Sequence, residues 1–175
     1  MATIDNFVNK YSIYKSTFKD TSYDKENSSY LCKDKTQEVI DFDRIIEDKF
    51  VVRPKSFDAI YIDSNIIYCI EFKNQKPSKI DNKEVQQKLL QGKNELVKLL
   101  QDLNINIRVL TFKYIVVYKN CDKNFEKYKC GILKDKIEFG LEKYKKSGFV
   151  KDVITSDVSF FTRAFKLKFK KELMC

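Results

Sequence analysis

Asp58, Glu71 and Lys73 lie on two apolar runs separated only by Ser64 and Asn65. A two-residue connection of small polar residues suits a tight hairpin in which Asp63 pairs with Ile66. Counting outward along both arms then sets Asp58 directly opposite Glu71. Opposed residues share a sheet face with Cβ atoms about 4.5–5.5 Å apart, and Lys73, two positions after Glu71, joins them. Like charges so placed destabilise a strand pair unless a cation lies between them, and oxygen-only ligation favours Mg²⁺ or Mn²⁺. The chemistry expected is phosphodiester hydrolysis. Asp58 and Glu71 hold one or two ions that polarise a phosphate and activate water, Lys73 assists, and the Phe72 carbonyl adds a ligand.

The neighbours of these charges sharpen the expectation. Phe57, Ala59, Ile60, Ile62, Ile67, Cys69, Ile70 and Phe72 make both runs core-like, so charges there require partners. Two other acidic-x-Lys triplets, Glu47-Asp48-Lys49 and Asp81-Asn82-Lys83, fall at a helix end and a helix start. Only Glu71-Phe72-Lys73 ends an apolar strand with an acid opposite.

Composition removes competing chemistries. The 175 residues include no histidine, which excludes Ser-His-Asp and Cys-His catalysis and imidazole-dependent nuclease mechanisms. Five cysteines without a Cys-x-x-Cys pair argue against structural zinc. The net charge of +9 favours a polyanionic partner, although a Lys-, Asn- and Ile-rich composition also fits an AT-rich genome. With 43% apolar residues the chain can bury a full core as one domain without staples. No apolar run approaches the about 20 residues of a membrane span, and the polar N-terminus lacks a secretory signal, so an intracellular protein is expected.

Several elements must position the triad. Apolar spacing predicts a helix over 3–18, a polar loop over 19–35, and a second helix over 36–48 burying Val39, Phe42, Ile45 and Ile46. Short runs at 50–53, 56–63 and 66–73 read as a three-strand meander. A connection over 74–81 leads to a long helix, 82–103, that covers the sheet. A strand over 112–118, a helix over 135–146 and a strand or helix over 158–169 complete the domain.

Phe57-Asp58-Ala59-Ile60 followed by Tyr68-Cys69-Ile70-Glu71-Phe72-Lys73 resembles the bipartite motif of the PD-(D/E)XK nuclease superfamily, with Phe57 standing in place of the family's proline. The resemblance covers roughly residues 36–118 and implies a restriction-endonuclease-like α/β domain with an αβββαβ core, its mixed central sheet flanked by helices. It implies that Asp58 is the metal-binding aspartate, Glu71 the second acidic ligand, and Lys73 the lysine that orients water and stabilises phosphate charge. Many such proteins carry a Gln or Lys on the following helix that reaches the site, and the helical stripe favours Gln86, with Gln87 facing solvent. Glu38, placed between Phe42 and Ile45 on a buried helix face, matches a glutamate that completes metal binding. The implied partner is nucleic acid, DNA before RNA, with a homodimer as one assembly to test. Tyr118, Lys119 and the Tyr and Lys residues of 123–146 offer a basic, aromatic surface for a strand, with a solvated helix face as the plainer alternative. Two rivals from other classes remain: a nucleic-acid-binding or protein-interaction module that does not cut, and an RNA-cleaving effector or toxin.

Overall fold

A computed structural model describes residues 2–120 and 137–175. Its centre is a mixed six-stranded sheet of β1 (Lys15–Thr17), β4 (Glu38–Asp41), β5 (Ala59–Asp63), β6 (Ile66–Lys73), β7 (Thr111–Tyr118) and β8 (Asp152–Asp157), in that spatial order. β1, β4, β5 and β6 pair antiparallel, and β7 and β8 then add in parallel. A small hairpin of β2 (Tyr23–Asp24) and β3 (Ser29–Tyr30) stands apart from the sheet. Among the described residues the helices are α1 (Ile4–Lys10), α2 (Phe18–Thr21), α3 (Phe42–Lys49), α4 (Asn82–Asp102), α5 (Glu142–Lys146) and α6 (Val158–Phe169). No helix among the described residues is long and apolar enough to cross a membrane.

The sheet is buried on both faces, and strand alternation assigns each side chain to one of them. On β6, Ile67 and Cys69 enter the core shared with α1, α3 and α4, whereas Tyr68, Ile70 and Phe72 enter the core shared with α2 and α6. β7 divides in the same way, Tyr114 and Val116 against Ile115 and Val117. Glu71 and Lys73 have the parity of Ile67 and Cys69, so both face α4.

The expected hairpin is present: Asp63 pairs with Ile66, and Ser64 takes a positive φ of 54° in the turn. The strand at 66–73 and the helix from 82 also stand where their periodicity placed them.

Four expectations at the N-terminal side are corrected. The helix expected over 3–18 ends at Lys10 and is followed by a short 3-10 turn and β1. Residues 36–48 are not one helix. Glu38–Asp41 form a strand whose Val39 and Ile40 fill opposite faces of the sheet, and Asp41 caps the shorter α3 by accepting from the Arg44 amide at 3.0 Å. The run at 50–53 is a loop with Val51 and Val52 exposed, so β4 is the first strand of the meander and α3 is inserted within it. The 19–35 stretch holds α2 and the small hairpin. Residues 135–136 of the expected late helix lie outside the described residues, and α5 covers only its end.

The chain also carries a staple the composition did not require. Cys32 and Cys175, 143 residues apart, form a disulfide that ties the C-terminus beside the β2–β3 hairpin.

Candidate active site

Asp58 sits immediately before β5, and its amide donates at 3.0 Å to the carbonyl of Ile70, the residue already paired with Ala59. The ladder ends there, so the expected direct Asp58–Glu71 pair is not part of it. Lys88, shared by both carboxylates, links them instead. Phe57 fixes the approach to β5. Fully buried, it stacks on Phe42 with centroids 4.5 Å apart and lies over Gly92 of α4, where any Cβ would fall 2.8 Å from its ring. The bulk of phenylalanine, fitted by a glycine across from it, thus does the packing at the position where the resembled family carries a proline.

The Asp58 carboxylate accepts from the Phe72 amide at 2.6 Å and lies 3.5 Å from the Lys88 ammonium. Glu71 has no exposed surface; its Oε1 receives Lys88 at 2.7 Å and Lys73 at 3.2 Å. Lys73 in turn donates to Glu84 at 2.7 Å. Two carboxylates, two lysines and a third acid therefore converge where the end of β6 meets α4.

Burial, then the Asp58 charge, pushes the Glu71 carboxyl up to about 7. Burial also raises Asp58 against the pull of Lys88 and the Phe72 amide. For Lys88, burial disfavours the ammonium, but Asp58 and Glu71 outweigh it and hold the lysine protonated well above its ordinary value. Lys73 behaves alike, burial opposing and Glu71 prevailing. Glu84, despite partial burial, is held below its ordinary value by the hydrogen bond from Lys73.

The cluster forms one wall of a cavity of about 340 Å³ whose lining also includes residues 21–26, from the end of α2 into the small hairpin. Six carboxylates line it, from Asp24, Glu26, Asp43, Asp58, Glu71 and Glu84, against only Lys25, Lys73 and Lys88. In a chain of net charge +9, this is an acidic spot on a basic protein. Asp43 is turned aside, bound by Arg53 and by the Ser56 hydroxyl at 2.6 Å.

Asp58, Glu71 and Lys73 are thus brought together, and Phe72 lines the same wall. Gln86 is not part of the cluster. Its amide donates to the Phe139 carbonyl at 2.7 Å and accepts from Lys143 at 2.7 Å, fastening α4 to the segment before α5, while Gln87 is exposed as expected. The helix phase explains the miss: Glu84 and Lys88, four apart, present one edge of α4 to the site, and Gln86 lies about 200° round from either neighbour pair of that edge. Charged residues at i and i+4 bordering an apolar stripe were the available signal. Glu38 is likewise displaced, because on β4 it is an exposed partner of Lys15 at 2.7 Å rather than a buried helical acid.

Among the described residues no three His, Cys, Asp or Glu side chains gather as a ready metal shell. The donors nonetheless suit Mg²⁺, which commonly takes one or two carboxylates and completes its shell with water and phosphate oxygens. Glu71 Oε2 is buried with no hydrogen-bond partner among the described residues, an acceptor left for a cation. Compared with known families, curated proteins and solved structures, the chain matches none.

Proposed function

We propose that this chain is a divalent-metal-dependent nuclease that hydrolyses phosphodiester bonds, DNA before RNA, on a restriction-endonuclease-like core. The observation that carries the reading is Glu71: a fully buried carboxylate, one oxygen unpartnered, beside Asp58 on the wall of an open cavity. A buried acid so placed is costly to the fold unless it serves a cation. The meander of β4, β5 and β6, followed by α4 and the parallel β7, supports the reading because it is the strand order the resembled family implies.

Asp58 and Glu71, with the Phe72 carbonyl, are the groups that would hold Mg²⁺ or Mn²⁺. The bound ion supplies Lewis-acid polarisation of the phosphate and an activated water. Lys73, held by Glu84 and Glu71, keeps an ammonium fixed at the cavity wall for the charge that develops on phosphate oxygens. Lys88 neutralises the two carboxylates when no ion is bound, and its flexible stem lets the ammonium move aside towards substrate phosphate. The acidic lining makes a cation a requirement for admitting a phosphodiester at all.

One observation favours a second reading, a binding module that does not cut: Lys88 already bridges Asp58 and Glu71 and can serve as a permanent internal counter-ion. The test is cleavage of a panel of single-stranded, double-stranded and branched DNA and of RNA, in Mg²⁺ and in EDTA. Cleavage confined to the Mg²⁺ reactions supports the nuclease. Binding without cleavage of any member supports the module, and cleavage of RNA alone supports an RNA-directed effector.

A further inference from the structure

The β2–β3 hairpin is a small element with an unusual surface. Tyr23 and Tyr30 are paired across its two strands, their ring centroids 4.8 Å apart, and are 41% and 39% exposed. Lys19 lies over the Tyr30 ring, 4.5 Å from its centroid. Tyrosines are normally well covered when a core is within reach, and this pair is held out beside one.

The hairpin is also pinned. The Asn74 amide donates to the Ser29 hydroxyl at 2.5 Å, linking it to the residue after Lys73. The buried Ser22 hydroxyl exchanges hydrogen bonds with the backbone of Cys32, donating to its carbonyl at 3.1 Å and accepting from its amide at 3.0 Å, and Cys32 is itself tied to Cys175. The rings are therefore presented by a scaffold keyed to the end of β6, which lowers the ordering cost of anything that stacks on them.

The two rings face different spaces. Tyr23 lines the acidic cavity, whereas Tyr30 lines a second groove of about 780 Å³ with Ser29, Lys33, Asn74, Lys119 and Asn120. In that groove the charged residues are Lys33 and Lys119 alone, and neither has a carboxylate partner among the described residues. Lys119 is set by its amide, which donates to the Gln75 carbonyl at 3.1 Å. Asn74 lines both spaces, so a basic groove leads past an aromatic ridge into the carboxylate cavity.

We infer that this ridge and groove bind single-stranded nucleic acid, with bases stacking on Tyr23 and Tyr30 and the backbone following Lys33 and Lys119. Ring faces offered without a reading edge accept any unstacked base, which a duplex does not present. Two cations on one side, without a carboxylate partner among the described residues, suit one backbone. The direction of the strand, towards Glu71, rests on the nuclease reading; the binding surface does not.

The test is fluorescence anisotropy in EDTA with a labelled 20-nucleotide oligo(dT), oligo(U) of the same length, and a 20-base-pair duplex, so that no cleavage occurs and the acidic cavity is left out. The single strands are expected to bind more tightly than the duplex, and the two single-strand arms show whether the sugar matters. Tyr30→Ala is expected to weaken single-strand binding roughly tenfold while Tyr30→Phe, which keeps the ring, retains it. Lys33→Ala and Lys119→Ala, both at exposed side chains, should each lower the salt slope by about 0.7 and keep the inference testable if Tyr30→Ala fails to fold. Tighter binding of the duplex, equal loss in Tyr30→Phe and Tyr30→Ala, or unchanged salt slopes would overturn it. Single-strand binding by a protein that cleaves nothing would sink the nuclease reading and leave this one standing.

Discussion

Replacing Glu71 with glutamine removes a fully buried charge and keeps the side chain's shape. Because Glu71 has no exposed surface, its rise from an ordinary 4.5 to about 7 needs no discount for solvent. At about 1.4 kcal/mol per pH unit this corresponds to about 3 kcal/mol. The sign follows from proton counts. Between pH 4.5 and 7 the native protein keeps the Glu71 proton while the unfolded chain has lost it, so stability falls as pH rises through that window. Glu71→Gln cannot lose a proton, and its advantage over the natural protein should grow from near zero at pH 4.5 to about 3 kcal/mol by pH 8. Asp58, shifted in the same direction by burial, remains in both proteins, so the difference reports Glu71 and its coupling to Asp58. Urea unfolding in EDTA at half-unit pH steps reads it directly. Parallel pH profiles for the two proteins would refute the claim that burial raises the proton affinity of Glu71 in the folded protein.

Other outcomes follow from the same geometry. Mn²⁺ affinity measured by calorimetry should rise about tenfold per pH unit below 7 and level off above it, since the ion and the Glu71 proton compete; a flat profile would place the ion elsewhere. Lys88→Met removes the cation lodged between Asp58 and Glu71, and should tighten Mn²⁺ binding at pH 8 on the order of tenfold, about 1.4 kcal/mol; weaker binding would show that Lys88 supports the ion rather than competing with it. Gln86→Ala, which only loosens the tie to Phe139 and Lys143, should leave the cleavage rate within about twofold. Gly92→Ala would press a methyl 2.8 Å from the Phe57 ring, and overpacking of about 1–3 kcal/mol should exceed the about 1 kcal/mol gained in helix propensity, so thermal melting should show a net loss.

The site was legible where strand geometry is rigid. A two-residue turn leaves one register, so counting from Ser64 and Asn65 sets the pairs from Asp63–Ile66 to Ala59–Ile70, and alternation carries Glu71 and Lys73 to one face. Asp58 lies one residue beyond the last pair and is linked to Glu71 through Lys88. Helix phase is less forgiving: the apolar stripe of α4 has two edges, and Gln86 lies on the one that faces Phe139 and Lys143, whereas Glu84 and Lys88, about 200° round, lie on the one that faces the site. The segment 36–48 misled because Val39, Phe42, Ile45 and Ile46 share helical spacing although a strand supplies Val39 and a helix the others. Asp41, a cap that marks the true helix start, was the overlooked sign. Val51 and Val52 read as strand residues because β-branched pairs normally find a sheet, and here they do not. The hairpin that closes the cavity lay in a stretch too polar to show periodicity, and its position depends on a disulfide whose pairing no spacing encodes.

The most direct test of the central claim is the single-turnover cleavage rate at saturating substrate as Mg²⁺ is titrated, for the natural protein and for Lys73→Ala, beside a binding titration of each. The rate is expected to require Mg²⁺ and to fall on the order of 10²-fold or more in Lys73→Ala while substrate affinity changes little, because the fixed ammonium acts on the transition state. A rate unchanged by Lys73→Ala, or no hydrolysis by the natural protein at any Mg²⁺ concentration, would contradict it.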